Sequence, residues 1–197
     1  MLAKKYKMYD WYIKLQIEDH KNYVEALDYI ADLEFKDAEY YMKKYGSILL
    51  QHIPRESTLV LKILCSDYKP RTASKPDLKE NSQKADPEDY IHLFLNNSGQ
   101  LVEFLEYLIR EGCFLSSVVY DTLLEHYLIV WSGMNDDDPD KAKYAQRIMK
   151  LLQISEETKY NKAQALIVCH MHEFSEGVLH LYEEQKLYQH ILRYNWK

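Results

Sequence analysis

Cys169, His170 and His172 fall within four residues of one another in the stretch ALIVCHMHEF, residues 165–174. Thiolate and imidazole are the ligands of structural zinc, so this stretch is the first place to look for chemistry. Zinc needs ligands that converge. On a helix, residues two apart point about 200° away from each other, which turns His170 and His172 to different faces. His180 and His190 lie further on and complete no zinc spacing. Cys169 is read as a small buried apolar group, and the stretch as a packed helical turn.

Other candidates fare no better. Asp136, Asp138 and Asp140 alternate in NDDDPDKAKY as calcium ligands would. The sixth position of such a loop lacks its glycine, and the twelfth is Arg147 rather than glutamate. The same residues make a helix start, with Asp138 as N-cap, Pro139 at N1 and the remaining carboxylates at the positive end of the dipole. Cys113, in REGCFLSS, has no base or electropositive setting nearby in sequence. Asp19-His20 and Glu125-His126 are adjacent pairs and do not face each other on a helix. G-x-S-x-G, a glycine-rich phosphate loop, H-E-x-x-H and C-x-x-C are all missing from the sequence. The reading is a chain that is not an enzyme, with no catalytic, cofactor-binding or metal-binding residue.

The elements that would position such groups read as helix nearly throughout. The 197 residues are 47% hydrophobic and 28% charged, with five glycines, five prolines and 18 tyrosines. So few breakers among so many helix formers leave little room for strands. The net charge of −6 argues against a general nucleic-acid binder. Three widely spaced cysteines suggest reduced thiols. The first residues, MLAKKYKMYDWY, do not read as a secretory signal, and no apolar run approaches the roughly 20 residues of a membrane span.

Apolar spacing predicts about eleven or twelve short helices. Tyr9 to Ile17 and Val24 to Ala31 are joined at His20–Asn22. A third runs from Phe35, with Gly46 as either a cap or a kink and Pro54 as a stop or restart. Others follow at 58–68, 87–95, 99–111 and 117–132, then 139–153, 162–172, 175–184 and 186–195. Residues 68–88, with Pro70, Pro76 and Pro87, are expected to form a flexible surface loop.

One unit recurs. ALDYIADLEFKDAEYYM from Ala26 matches ALIVCHMHEFSEGVLHL from Ala165, an offset of 139 residues. Ala26-Leu27 pairs with Ala165-Leu166, Glu34-Phe35 with Glu173-Phe174, and Ala38 with Gly177. Cys169, His170 and His172 correspond to Ile30, Ala31 and Leu33, so the first copy holds no ligands. The shared plan is a helix, a turn wedged by an aromatic, and a second helix that a small residue lets approach closely. Hairpins of this kind cover one another's apolar faces by stacking. The fold class read from the sequence is all-α, an α-solenoid of stacked antiparallel helical hairpins. Its packing is assigned to Leu27, Ile30, Phe35, Ala38, Leu105, Leu123, Leu124, Leu166, Phe174, Gly177, Leu181 and Ile191.

Three blocks carry a resemblance: IEDHKNYVEALDYIADLEFKDAEYYMKKYGSILLQHIP, YDTLLEHYLIVW and YNKAQALIVCHMHEFSEGVLHLYEEQKLYQHILRY. They resemble, in order, the central part of the vacuolar protein sorting-associated protein 11 family, and more distantly the clathrin heavy-chain repeat. The resemblance implies a solenoid segment within the core of the HOPS and CORVET tethering complexes. Its implied partners are the other Vps-C core subunits and, through the complex, Rab GTPases and SNAREs. The implied place is cytoplasmic, peripheral on endosome, late endosome and lysosome or vacuole membranes. The family's N-terminal β-propeller and zinc-binding RING finger have no counterpart in these residues, so ligase activity and zinc carry over to none of them. Residues 1–197 are expected to be one solenoid segment. A coat or transport-adaptor segment of the clathrin-repeat kind is the alternative.

Overall fold

The computed structural model describes residues 2–69, 83–95, 97–113, 116–154, 160–187 and 189–190, with side chains from residue 8 onward. Among them are ten α-helices and no strand: the chain is an all-α protein built as an α-solenoid. It divides into two compact units, Met1–Cys113 and Phe114–Lys197.

In the first unit, α1 (Leu2–Lys14) runs on into a π-helical turn (Leu15–Asp19). His20–Asn22 is the joint the sequence suggested, and Lys21 adopts a positive φ of 53° there. α2 (Tyr23–Ala31) and α3 (Phe35–His52) form an antiparallel hairpin. Tyr23 at the start of α2 stacks on His52 at the end of α3, centroids 4.0 Å apart. Gly46 neither caps nor kinks α3, which continues through it. A Cβ there would lie 2.8 Å from Leu93 Cδ1, so the glycine admits a neighbour. Pro54 opens α4 (Pro54–Ser66) at N1, where its missing N–H costs nothing. The short α5 (Glu88–Ile91) and a 3-10 turn (His92–Phe94) precede α6 (Ser98–Arg110).

α2 and α4, and α4 and α6, lie side by side and point the same way. Tyr68, just past α4, donates its hydroxyl to Ala31 O at 3.0 Å and Leu33 O at 2.7 Å, at the end of α2. Lys62 of α4 meets Glu103 of α6, and one turn on Ser66 lies 3.5 Å from the Tyr107 hydroxyl. Neighbours antiparallel, next-neighbours parallel is the geometry of stacked hairpins. Tyr68→Phe removes one buried hydroxyl and strands two carbonyls. Its expected cost is about 1–3 kcal/mol, read as a lower urea midpoint at unchanged slope.

Most of the expected 68–88 loop lies outside the described residues. Its two ends are tied down, by Tyr68 as above and by Ala85 N–H to Leu64 O at 3.0 Å. Gly112 stops α6 with φ 65°: Cys113 N–H reaches back to Leu108 O and Gly112 N–H to Ile109 O, a Schellman closure.

The second unit repeats the scheme with α7 (Ser117–Ser132), α8 (Lys141–Leu152), α9 (Lys162–Met171) and α10 (Ser175–Glu184). Lys162 at the start of α9 bonds Glu184 at the end of α10 at 2.8 Å, so this hairpin is antiparallel. Asp121 of α7 accepts from Asn161 N–H at the head of α9, and Ser132 at the end of α7 meets His172 past the end of α9, so α7 and α9 are parallel. α8 begins at Lys141 with Asp140 as N-cap, two residues later than the sequence suggested. Asp138 instead accepts from Asp140 N–H at 2.9 Å, forming the turn that precedes the helix. The expected helix 186–195 falls mostly outside the described residues. Lys186 itself has φ 58° and closes α10, with Leu187 N–H on Tyr182 O.

Candidate functional site

The Cys169, His170 and His172 side chains diverge. Cys169 is fully buried, and burial pushes its thiol pKa up to about 12, against metal-ligating thiolate character. The His170 imidazole Nε2 lies 2.8 Å from the Tyr182 hydroxyl of α10. The His172 Nδ1 lies 2.9 Å from the Ser132 hydroxyl of α7. One side chain fills the hairpin interior, one ties α9 to α10, and one ties α9 to α7. They act as three packing contacts on three faces.

The acidic run is spent likewise. Asp136 and Asp140 pair at 2.7 Å with Lys141 and Lys143, and both carboxyls are held below their ordinary range by those lysines. Lys141 also donates to Met134 O and lies 5.0 Å from the Trp131 ring centroid, pinning the loop to the end of α7. Cys113 is half-buried, its Sγ 3.9 Å from the Cys65 carbonyl oxygen. No group of three or more possible metal ligands occurs among the described residues.

What the structure does assemble is the repeated hairpin. Leu27, Ile30, Ala38, Leu105, Leu123, Leu124, Phe174 and Leu181 are buried, and Gly177 with them. Phe35 and Leu166 are half-buried, and Ile191 lies outside the described residues. The two aromatics of the repeat are not equivalent. Phe174 precedes α10 and its ring meets Trp131 edge-on, centroids 4.9 Å apart. Phe35 is the first residue of α3 and packs on the Tyr68 ring at 5.9 Å.

The turns differ too. Glu34 is extended, whereas Glu173 sits at φ 56°, closing α9 with Glu173 N–H on His170 O and Phe174 N–H on Cys169 O. This is the position glycine favours. Glu173→Gly relieves the side chain's strain at a smaller cost in unfolded-state entropy, and is expected to stabilise by about 0.5–1 kcal/mol, seen as a higher melting temperature.

Sequence reasoning missed one part of the repeat. Asn22 and Asn161 are the N-caps of α2 and α9 and obey the same 139-residue offset. Asn161 Oδ1 accepts from Ala163 and Gln164 N–H, while Asn22 makes no such bond. The matched asparagines were visible in the sequence. The Tyr68 staple was not, because its partners are backbone carbonyls far away along the chain.

Parallel layers of short antiparallel hairpins, closed by wedging aromatics and small residues, define a helical-repeat protein of the clathrin type. The chain belongs to the PEP5/VPS11 clathrin-repeat family, whose family model matches residues 1–197. It is 40% identical over 98% of its length to the vacuolar protein sorting-associated protein 11 homologs of Homo sapiens and Mus musculus, of which it covers 20%. The Dictyostelium discoideum homolog is 32% identical over 98% of the chain. The chain thus spans about a fifth to a quarter of the length of the curated relatives it matches. Among the described residues no helix is long and apolar enough to cross a membrane.

Proposed function

We propose that this chain is a non-enzymatic scaffold segment of an endolysosomal membrane-tethering complex of the HOPS or CORVET kind. It would support vacuolar protein sorting by holding other Vps-C core subunits in fixed register, with Rab GTPases and SNAREs engaged through the complex. The reading places it in the cytoplasm, peripheral on endosome, late endosome and lysosome or vacuole membranes. The observation that carries it is the family match along the whole chain, to relatives named for vacuolar protein sorting. The architecture supports a mechanical role: polar groups in the hairpins are spent on ties between helices, and repeat stacking resists bending because each hairpin buries its neighbour's apolar face. It acts without a cofactor of its own.

The test is cross-linking from surface positions of this segment within the complex isolated from cells, read by mass spectrometry. Cross-links to tether subunits are expected. Cross-links to coat components, with none to tether subunits, would instead establish the coat or transport-adaptor alternative.

A further inference from the structure

We propose that Cys65 and Cys113 form a reversible disulfide, a redox-sensitive lock that ties the last turn of α4 to the segment just past α6. The two residues stand 48 apart in the chain. The Schellman closure of α6 nevertheless turns Cys113 back toward α4, and its Sγ lies 3.9 Å from the Cys65 carbonyl oxygen. A fully straight path from one Cα to the other through that contact spans about 9 Å, and every bend shortens it toward the roughly 4.4–6.8 Å of a disulfide. The two sulfurs also feel each other: after burial, Cys113 is the largest influence raising the Cys65 thiol pKa. Both thiols are free in the structure.

Unequal burial orders the chemistry. Cys113 is half-buried, so a small oxidant reaches it, whereas Cys65 is 2% exposed. The oxidant is a low-molecular-weight disulfide, with glutathione disulfide as the probe. Cys113 gives its proton to solvent, and its thiolate attacks one sulfur of that disulfide. The S–S bond breaks, one glutathione leaves as a thiolate and takes up a proton, and Cys113 holds the other in a mixed disulfide. Cys65 then attacks the Cys113 sulfur, and its proton passes to the departing second glutathione. The protein loses two hydrogens, and the oxidant gains them as two thiols. Burial disfavours the Cys65 thiolate, so the second step is the slower one. The new bond fixes the ends of α4 and α6 to each other, where Ser66 and the Tyr107 hydroxyl otherwise meet at 3.5 Å. Cys169, fully buried against Gly177 of α10, is the internal control.

The inference does not depend on the tether reading, and its test uses the purified, reduced chain. The chain is incubated with glutathione disulfide, its remaining thiols are alkylated, and the digest is analysed without reductant by mass spectrometry. The peptides carrying Cys65 and Cys113 are expected joined, two hydrogens lighter than their sum, with Cys169 still alkylated. A mixed disulfide on Cys113 should appear first and decay as the internal bond forms, and added reductant should reverse both. Cys65→Ala should stop at the mixed disulfide, and Cys113→Ala should leave Cys65 unmodified; circular dichroism checks that both variants fold. The oxidised wild-type chain should unfold at a higher urea midpoint and with a lower slope, since the bond restricts the unfolded chain. Wild-type chain that accumulates only the mixed disulfide would overturn the proposal. So would a Cys65–Cys113 bond formed only after unfolding in urea, or disulfides between chains in place of the internal one.

Discussion

Phe174→Ala should lower the stability of the second unit by about 3–5 kcal/mol, the range for deleting a buried phenylalanine ring. The ring is 2% exposed and lies edge-on to Trp131 of α7. It also lies over Gly177 of α10 and follows the closed end of α9. It therefore joins three of the four helices α7–α10 described in the unit. None of them can shift inward to fill the void without giving up another contact: α9 is held to α7 at both ends, and to α10 through Lys162 and His170. Poor collapse places the loss toward the upper part of the range. A unit of this size holds roughly 5–10 kcal/mol in all, so the variant should be marginal at 25 °C. Urea unfolding followed by tryptophan fluorescence and far-ultraviolet circular dichroism measures it. A midpoint equal to that of the wild type would show that the ring wedges nothing.

Gly177→Leu is the complementary experiment, adding volume where the first removes it. A Cβ at 177 would stand 2.6 Å from Phe174 Cδ1 and 3.0 Å from Cys169 Sγ, both on buried side chains. Overpacking of this kind costs about 1–3 kcal/mol. Leucine's better helix propensity, worth up to about 1 kcal/mol over glycine, offsets only part of it. Gly46→Ala is the control. Its Cβ would meet the tip of the flexible Leu93 side chain, which can turn aside, so propensity should leave that variant neutral or slightly more stable. The two effects must also couple. In a Phe174→Ala background the obstruction at 177 is largely gone, and Gly177→Ala should then cost nothing or stabilise. A coupling energy on the order of 1 kcal/mol or more is expected, and additive losses would mean that the glycine is there for another reason.

Helix content, the joint at His20–Asn22, the hairpin repeat and the small residue at 177 were all legible in the sequence. Each depends on local periodicity or on a residue type with one strong conformational meaning. The role of Gly46 was not legible, because a glycine within a helix looks the same whether it caps, kinks or makes room for a distant leucine. Asp138 was read as a cap because aspartate before proline usually is. The chain instead takes one more turn, since Lys141 reaches Asp136 and Met134 O and Asp138 closes on Asp140. His170 and His172 were separable onto different faces from the 100° step alone, yet which neighbour each would meet depended on helices α7 and α10.

Periodicity and composition by themselves determined that this chain is helical, that it is built of hairpins, and that one hairpin recurs 139 residues on. Those properties follow from backbone sterics and from which side of a helix is apolar, and both are written in neighbouring residues. Tertiary structure alone decided that the two copies close with different turns, and that Phe174 is buried where Phe35 is only half so. It also decided that Leu59 and Ile63 of α4 face outward while Val60 and Leu64 face in. A helix rich in leucine and isoleucine offers several sides that could be buried, and only the positions of its neighbours choose among them.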